Sequence, residues 1–236
     1  MNSTAQEILL DFVSLFFPSH CPACGDALVK GEEFVCTGCM LELPQTDHHL
    51  EPENDLFRRL SFRIPVRYAM ALFRFSKSGR VQQLLHALKY RNHPEIGNAL
   101  GRFYGLKILE TGFFSDEDEI IPVPLHLARL RRRGYNQSAR FASGLSDALG
   151  IPCADGVLLR KKVTESQTAK TKLSRWENMR GVFSLAEDSD AAHSVVGKRV
   201  ILVDDVITTG ATLEACAEVL VSGGCQELSI VCIAAV

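Results

Sequence analysis

The chain has 236 residues and a mass of 26.1 kDa, with 26 basic against 28 acidic side chains for a net charge of −2. A hydrophobic content of 46% and a charged content of 23% belong to the globular class and exclude a disordered or fibrous chain. That balance gives no global attraction for nucleic acid or an anionic membrane, and no apolar run is long enough to span a bilayer.

The apolar run Ile8 to Phe17 is interrupted by Asp11, preceded by Glu7 and flanked by no Lys or Arg, which makes it a poor signal peptide. It fits an amphipathic helix packed on the body, with contact to a membrane surface as the alternative. Cys21, Cys24, Cys36 and Cys39 then form two C-x2-C pairs separated by eleven residues. Paired knuckles bring four thiolates within tetrahedral reach of one Zn²⁺, the closed geometry of a structural site. Disulfides are the competing arrangement, disfavoured because no export signal precedes them. On this reading, Cys21→Ser unfolds residues 18–42 and leaves the larger domain folded. Cys153, Cys216, Cys225 and Cys232 stand singly in apolar surroundings and read as core filler.

Residues 43–63 are polar, hold Pro44 and Pro52 and four acids, and predict a linker or irregular segment. The expected organisation is a helix and zinc module over 1–45, a linker over 46–64, and an α/β domain over 65–236. Alternation over 66–75 predicts a strand, and spacing of Val81, Leu84, Leu85 and Leu88 predicts a helix over 81–90. A second helix follows over 95–109, and a strand over 120–123.

Arg129, Arg131, Arg132 and Arg133 crowd four guanidinium groups together. They read either as a solvated helix face or as an anion site, since arginine pairs bidentately with phosphate. Asn136 or Ser138 is placed to cap a helix ending at Leu149–Gly150. A strand over 155–159 precedes the basic stretch 161–180, which includes Lys162. That stretch reads as a loop, either plain or one that closes over a charged substrate.

The most informative segment is Val200 to Leu213. A buried-strand run (Val200 to Val203) meets Asp204 and Asp205, then the turn Thr208-Thr209-Gly210-Ala211-Thr212, then a helix with Leu213, Cys216, Ala217 and Leu220 on one face. Two acids at the carboxyl end of a parallel strand point to a polar ligand. The turn suits phosphate: Gly210 permits close backbone approach, and a helix N-terminus supplies free amides. A plain strand-to-helix connection with a threonine cap is the bland alternative.

The segment resembles the signature of type I phosphoribosyltransferases. The resemblance implies a parallel sheet flanked by helices, with Asp204 and Asp205 on the ribose hydroxyls of phosphoribosyl pyrophosphate (PRPP). It also implies that Thr208 to Thr212 holds the 5′-phosphate and that Mg²⁺ accompanies the diphosphate. Arg131, Arg133 and Lys162 are the expected contacts of the pyrophosphate or the loop. Together with Leu88-Lys89-Tyr90-Arg91, Val123-Pro124-Leu125, Arg133-Gly134-Tyr135-Asn136-Gln137 and Ser166-Gln167-Thr168, the chain resembles the ComF family of competence-associated proteins. That resemblance implies a cytoplasmic protein linked to uptake or processing of single-stranded DNA. Phosphoribosyl transfer to a nucleobase-like acceptor is the first expectation. A non-catalytic factor that binds single-stranded DNA or competence proteins, with PRPP as regulator, is the alternative. Tyr135 and Trp176 are the nearby candidates for stacking on bases.

Overall fold

The computed structural model describes residues 19–32, 34–161, 181–186 and 195–236. Four parallel strands, β1 (Ala69–Arg74), β2 (Glu119–Pro122), β5 (Arg199–Ile207) and β6 (Glu227–Ala235), form a sheet in the order β1-β6-β5-β2. Val200 and Leu202 of β5 face one layer while Ile201 and Val203 face the other, so both faces are buried, as parallel sheets require. One layer holds α3 (Arg80–Tyr90), α4 (Pro94–Leu109) and α6 (Gln137–Leu149). The other holds α2 (Asp55–Ser61), α7 (Ala211–Ser222) and an antiparallel pair, β3 (Leu158–Arg160) with β4 (Phe183–Leu185). The expected strand near 155–159 thus belongs to this small second sheet. Short helices α1 (Thr37–Glu42) and α5 (Leu127–Arg133) complete the set. Among the described residues no helix is long and apolar enough to cross a membrane.

Helices α4 and α6 meet backbone to backbone. A β-carbon on Gly144 would lie 2.1 Å from the carbonyl oxygen of Asn98, and one on Gly101 would lie 2.3 Å from that of Phe141. Glycine is the residue type that lets these helices approach so closely. Asn136 caps α6 by accepting from the Ser138 amide, and Gly150 ends it in the left-handed region at φ 73°. Both ends agree with the sequence.

The segment read as a linker is instead structured and packed. It holds a 3₁₀ turn, His48–Leu50, and α2, whose Leu56 and Leu60 are fully buried. Its polar composition concealed this because its anchors are polar. The Asn54 side-chain amide donates to the carbonyls of Glu51 and Ala69 (2.9 Å each) while its oxygen caps α2. His48 accepts from the Ala71 amide and bonds Asp55. Residues 44–46 also run along β1, so that its edge is covered. Cys21, Ala23, Cys39 and Leu43 lie in the same core as Leu84, Leu88 and Ile96.

Carboxylates gather at the opposite end of the sheet from the acid-rich turn. Glu117 is buried, accepts from the Ser229 hydroxyl at 2.9 Å, and has one oxygen without a partner. Burial pushes its pKa up to about 7. A carboxyl raised in the folded state is neutral in both states at low pH, and its destabilising charge develops as pH rises toward 7. Glu117→Gln is therefore expected to raise the melting temperature at pH 8 by about 2–4 °C, equivalent to about 1 kcal/mol, and to change nothing at pH 4. Thermal melts at the two pH values check this, and an equal shift at both rejects the buried charge.

Candidate active site

Strand β5 carries the two acids past the point where β2 ends. Pairing with β6 continues to Ile207, so Asp204 and Asp205 sit on a fixed strand rather than on a loop. Asp204 accepts from the Ser138 hydroxyl at 2.9 Å and from the Asp205 amide at 2.8 Å. Burial first, and the neighbouring Asp205 second, push its pKa up to about 7, with those hydrogen bonds and Lys89 pulling against the shift. Asp205 pairs with Lys89, Oδ2 to Nζ 3.0 Å.

Beyond the acids the chain turns into α7. Gly210, at φ 84°, is the N-cap and supplies no side-chain cap. The threonine-capped alternative is therefore not what forms, and the early amides of α7 are left to other acceptors, apart from Ala211, whose amide reaches Thr209 Oγ1 at 3.4 Å. A β-carbon at Gly210 would be strained by its φ and would meet Leu60 at 3.0 Å. Arg63, from the segment once read as linker, braces the turn by donating to the Thr209 carbonyl at 2.8 Å.

Two depressions adjoin here and share Asp204, Val206 and Thr212. The smaller, about 40 Å³, is walled by Thr208 to Leu213. The larger, about 260 Å³, is walled by the two acids, by Lys89 and Tyr90, and by Arg129, Arg133 and Arg160. A third cavity of about 970 Å³ lies beside them under β3 and β4. It shares Pro124, Leu125, Asn136 and Arg160 with the acid-lined one, and Leu127, Leu130, Leu158 and Leu159 make much of its wall apolar.

Of the expected arginine contacts, Arg133 lies in this wall, with its guanidinium bonded to Gln137 and to the Tyr90 hydroxyl and its Nε buried without a partner. Arg131 is exposed and outside the cavity lining, because two residues along α5, about 200° of rotation, turn it away while Arg129 faces in. Lys162 and Trp176 lie outside the described residues, as does most of the 161–180 stretch. Tyr135 is only 7% exposed and its hydroxyl donates to the Leu88 carbonyl, so it offers no ring for stacking. Sequence reasoning assigned no role to Arg160. It stands over the Phe183 ring at 5.3 Å, its Nε is buried without a partner, and burial and then Arg129 lower its pKa. Neither it nor Lys89 carries a local motif of its own; only Lys89 lay within a segment already noted.

The four cysteine sulfurs lie within 4.8 Å of one another, with Cys24 and Cys36 3.7 Å apart. Zinc–sulfur bonds of about 2.3 Å in a tetrahedron give nearly that separation, whereas a disulfide does not. The Cys36 and Cys39 amides point at Cys21 and Cys36 sulfurs, at 3.4 and 3.3 Å. None of the eight cysteines is in a disulfide; Cys216, Cys225 and Cys232 are buried as expected, whereas Cys153 is half-buried and lines the third cavity.

Residues 135–236 match the family model of the phosphoribosyl transferase domain. Over 220 residues the chain is 31% identical to competence protein F of Haemophilus influenzae, covering 91% of this chain and 83% of that one. The chain belongs to the competence protein F family. Other members at similar length are the DNA utilization protein YhgH of Shigella flexneri and competence protein ComFC of Bacillus subtilis. The first is 29% identical over 90% of this chain and 88% of that protein; the second is 26% identical over 84% and 82%. The family's phosphoribosyltransferase-type domain is thus the part that contains the turn, both acids and α6, while the cysteine module and α3 precede it.

Proposed function

We propose that this protein binds PRPP with Mg²⁺ and transfers its phosphoribosyl group to a nucleobase-like acceptor. The observation that carries this reading is the linear order of the two depressions: amide-rich turn, carboxylates, then cations. A furanose with its 5-phosphate in the turn has its hydroxyls at the acids, and its C1 substituent then falls toward Arg129, Arg133 and Arg160. The adjoining 970 Å³ cavity offers room for a planar acceptor on the far side of C1.

Displacement at C1 builds oxocarbenium character on the sugar and negative charge on the departing diphosphate. Asp204 and Asp205 orient the ribose and stand close to the developing positive charge, while the arginines stabilise the leaving group. The two carboxylates suit Mg²⁺, which takes one or two protein carboxylates plus substrate phosphates, and which supplies further neutralisation of the diphosphate when bound. The four thiolates fit one structural Zn²⁺. The names of the relatives, competence and DNA utilization, favour a role in the handling of incoming DNA.

Calorimetry with PRPP and Mg²⁺ tests the reading. Charge-assisted hydrogen bonds contribute about 1.5–3 kcal/mol each, so the Asp204→Asn, Asp205→Asn double variant is expected to bind PRPP about 100-fold more weakly or worse. Unchanged affinity sinks the assignment of the site. Release of pyrophosphate in the presence of a panel of bases then separates transfer from binding alone.

A further inference from the structure

Resting on the phosphoribosyl reading of the site, we propose that Lys89 joins the three arginines in meeting the C1 diphosphate, bridging the Asp205 carboxylate to it and adding to the site's selectivity for a diphosphate there. The ligand brings anionic charge in two places. The 5-phosphate is met by the turn at Thr208 to Thr212, which lies on one side of the acids. The C1 diphosphate must be met on the other side, in the 260 Å³ cavity, and Lys89 stands in that wall.

Among the described residues, Lys89 supplies that wall's one ammonium, and an ammonium has three donors. One is directed to Asp205 at 3.0 Å, which leaves donors for a second anion. The side chain is 22% exposed and Asp205 17%, so the pair is sheltered but open to the cavity. Arg133, by comparison, already spends donors on Gln137 and Tyr90.

The fold holds Lys89 in place from both sides. It occupies the last turn of α3, where the helix dipole favours a cation. The Tyr135 hydroxyl grips the carbonyl of Leu88 just before it, and Arg133 covers the ring of Tyr90 just after it at 4.9 Å. Arg133 and Tyr135 therefore fix the position of a lysine that lies 46 residues earlier in the chain, counting from Tyr135 to Lys89.

A purely structural role predicts something different. If Lys89 serves only to hold Asp205, its loss weakens every ligand that uses the ribose hydroxyls. If it also meets the diphosphate, its loss weakens PRPP selectively over ribose 5-phosphate, which shares the phosphate and the hydroxyls. The experiment is calorimetry on the full chain, wild type, Lys89→Met and Lys89→Arg, titrated with PRPP and with ribose 5-phosphate, both with Mg²⁺. Lys89→Met is expected to lose about tenfold more affinity for PRPP than for ribose 5-phosphate, the value of one charge-assisted hydrogen bond, on top of any loss through Asp205 that both ligands share. Lys89→Arg should recover part of the loss. Binding stoichiometry reports the folded fraction of each variant, so a folding defect does not imitate selectivity. An equal loss for both ligands, or no loss for either, overturns the proposal and leaves the PRPP site standing. A wild-type protein that binds neither ligand overturns the site and the proposal together.

Discussion

Gly144→Ala destabilises the protein, although alanine is the better helix former by about 0.8–1.0 kcal/mol. At an exposed helical position that preference sets the sign. At Gly144 the added carbon meets three backbone atoms of α4, the Asn98 carbonyl oxygen at 2.1 Å, the Arg102 amide nitrogen at 2.8 Å and the Asn98 carbonyl carbon at 2.9 Å. No side-chain rotation relieves a contact with backbone, so the helices must separate. Overpacking of this kind costs about 1–3 kcal/mol, and a fall of about 2–12 °C in melting temperature follows at about 2–4 °C per kcal/mol for a domain of this size. The damage extends to function. Helix α6 carries Ser138, which holds Asp204, and Asn136, whose amide donates to the Val123 carbonyl at 2.9 Å. Urea denaturation showing an unchanged or raised midpoint would mean that α4 and α6 do not meet as closely as described.

Removing metal from the cysteine module is expected to lower the stability of the whole protein. The sequence alone predicts a local loss over 18–42, with the rest intact. That treats the module as a bead on a string, but Cys21, Ala23, Cys39 and Leu43 belong to the same buried core as Leu84, Leu88 and Ile96. Metal binding and folding are coupled in small thiolate sites, so releasing the metal uncovers one side of α3. A mercurial reagent with a colorimetric chelator should release one zinc per chain. The main melting transition should then fall by about 5–10 °C, equivalent to about 2–3 kcal/mol. A calorimetric scan with a small separate transition and an unmoved main peak would restore the independent module, and a metal content of zero would remove the zinc.

The sheet and its crossing helices were legible because apolar residues recur at the spacing each element demands. The strand that carries Asp204 and Asp205, and the glycine turn after it, were legible for a further reason, since the residue types conflict with ordinary strand composition. Buried polar anchors had no such pattern. His48 and Asn54 look like surface residues until their partners, the Ala71 amide and the Ala69 carbonyl, are brought near by β1. The phase of a helix seven residues long is equally hard to read, and so α5 presents Arg129 rather than Arg131 to the cavity. Lys89 and Arg160 reach the site only because separate elements converge there, and Tyr135 serves as an internal clamp instead of a stacking surface.

Strand β6 lies between β1 and β5, and it pairs Ala69 with Ile230 along one side and Val200 with Leu228 along the other. On the ribosome, β1 emerges long before the partner that shields its inner side, and β5 must wait with one edge bare as well. Folding rates fall as contacts lengthen in sequence, and unpaired strand edges attract other chains during that interval. The edges of β1 and β5 that β6 covers therefore stay bare until residues near Ala235 have been made, and a chain that ends within α7 carries its acids on a strand paired on one side alone.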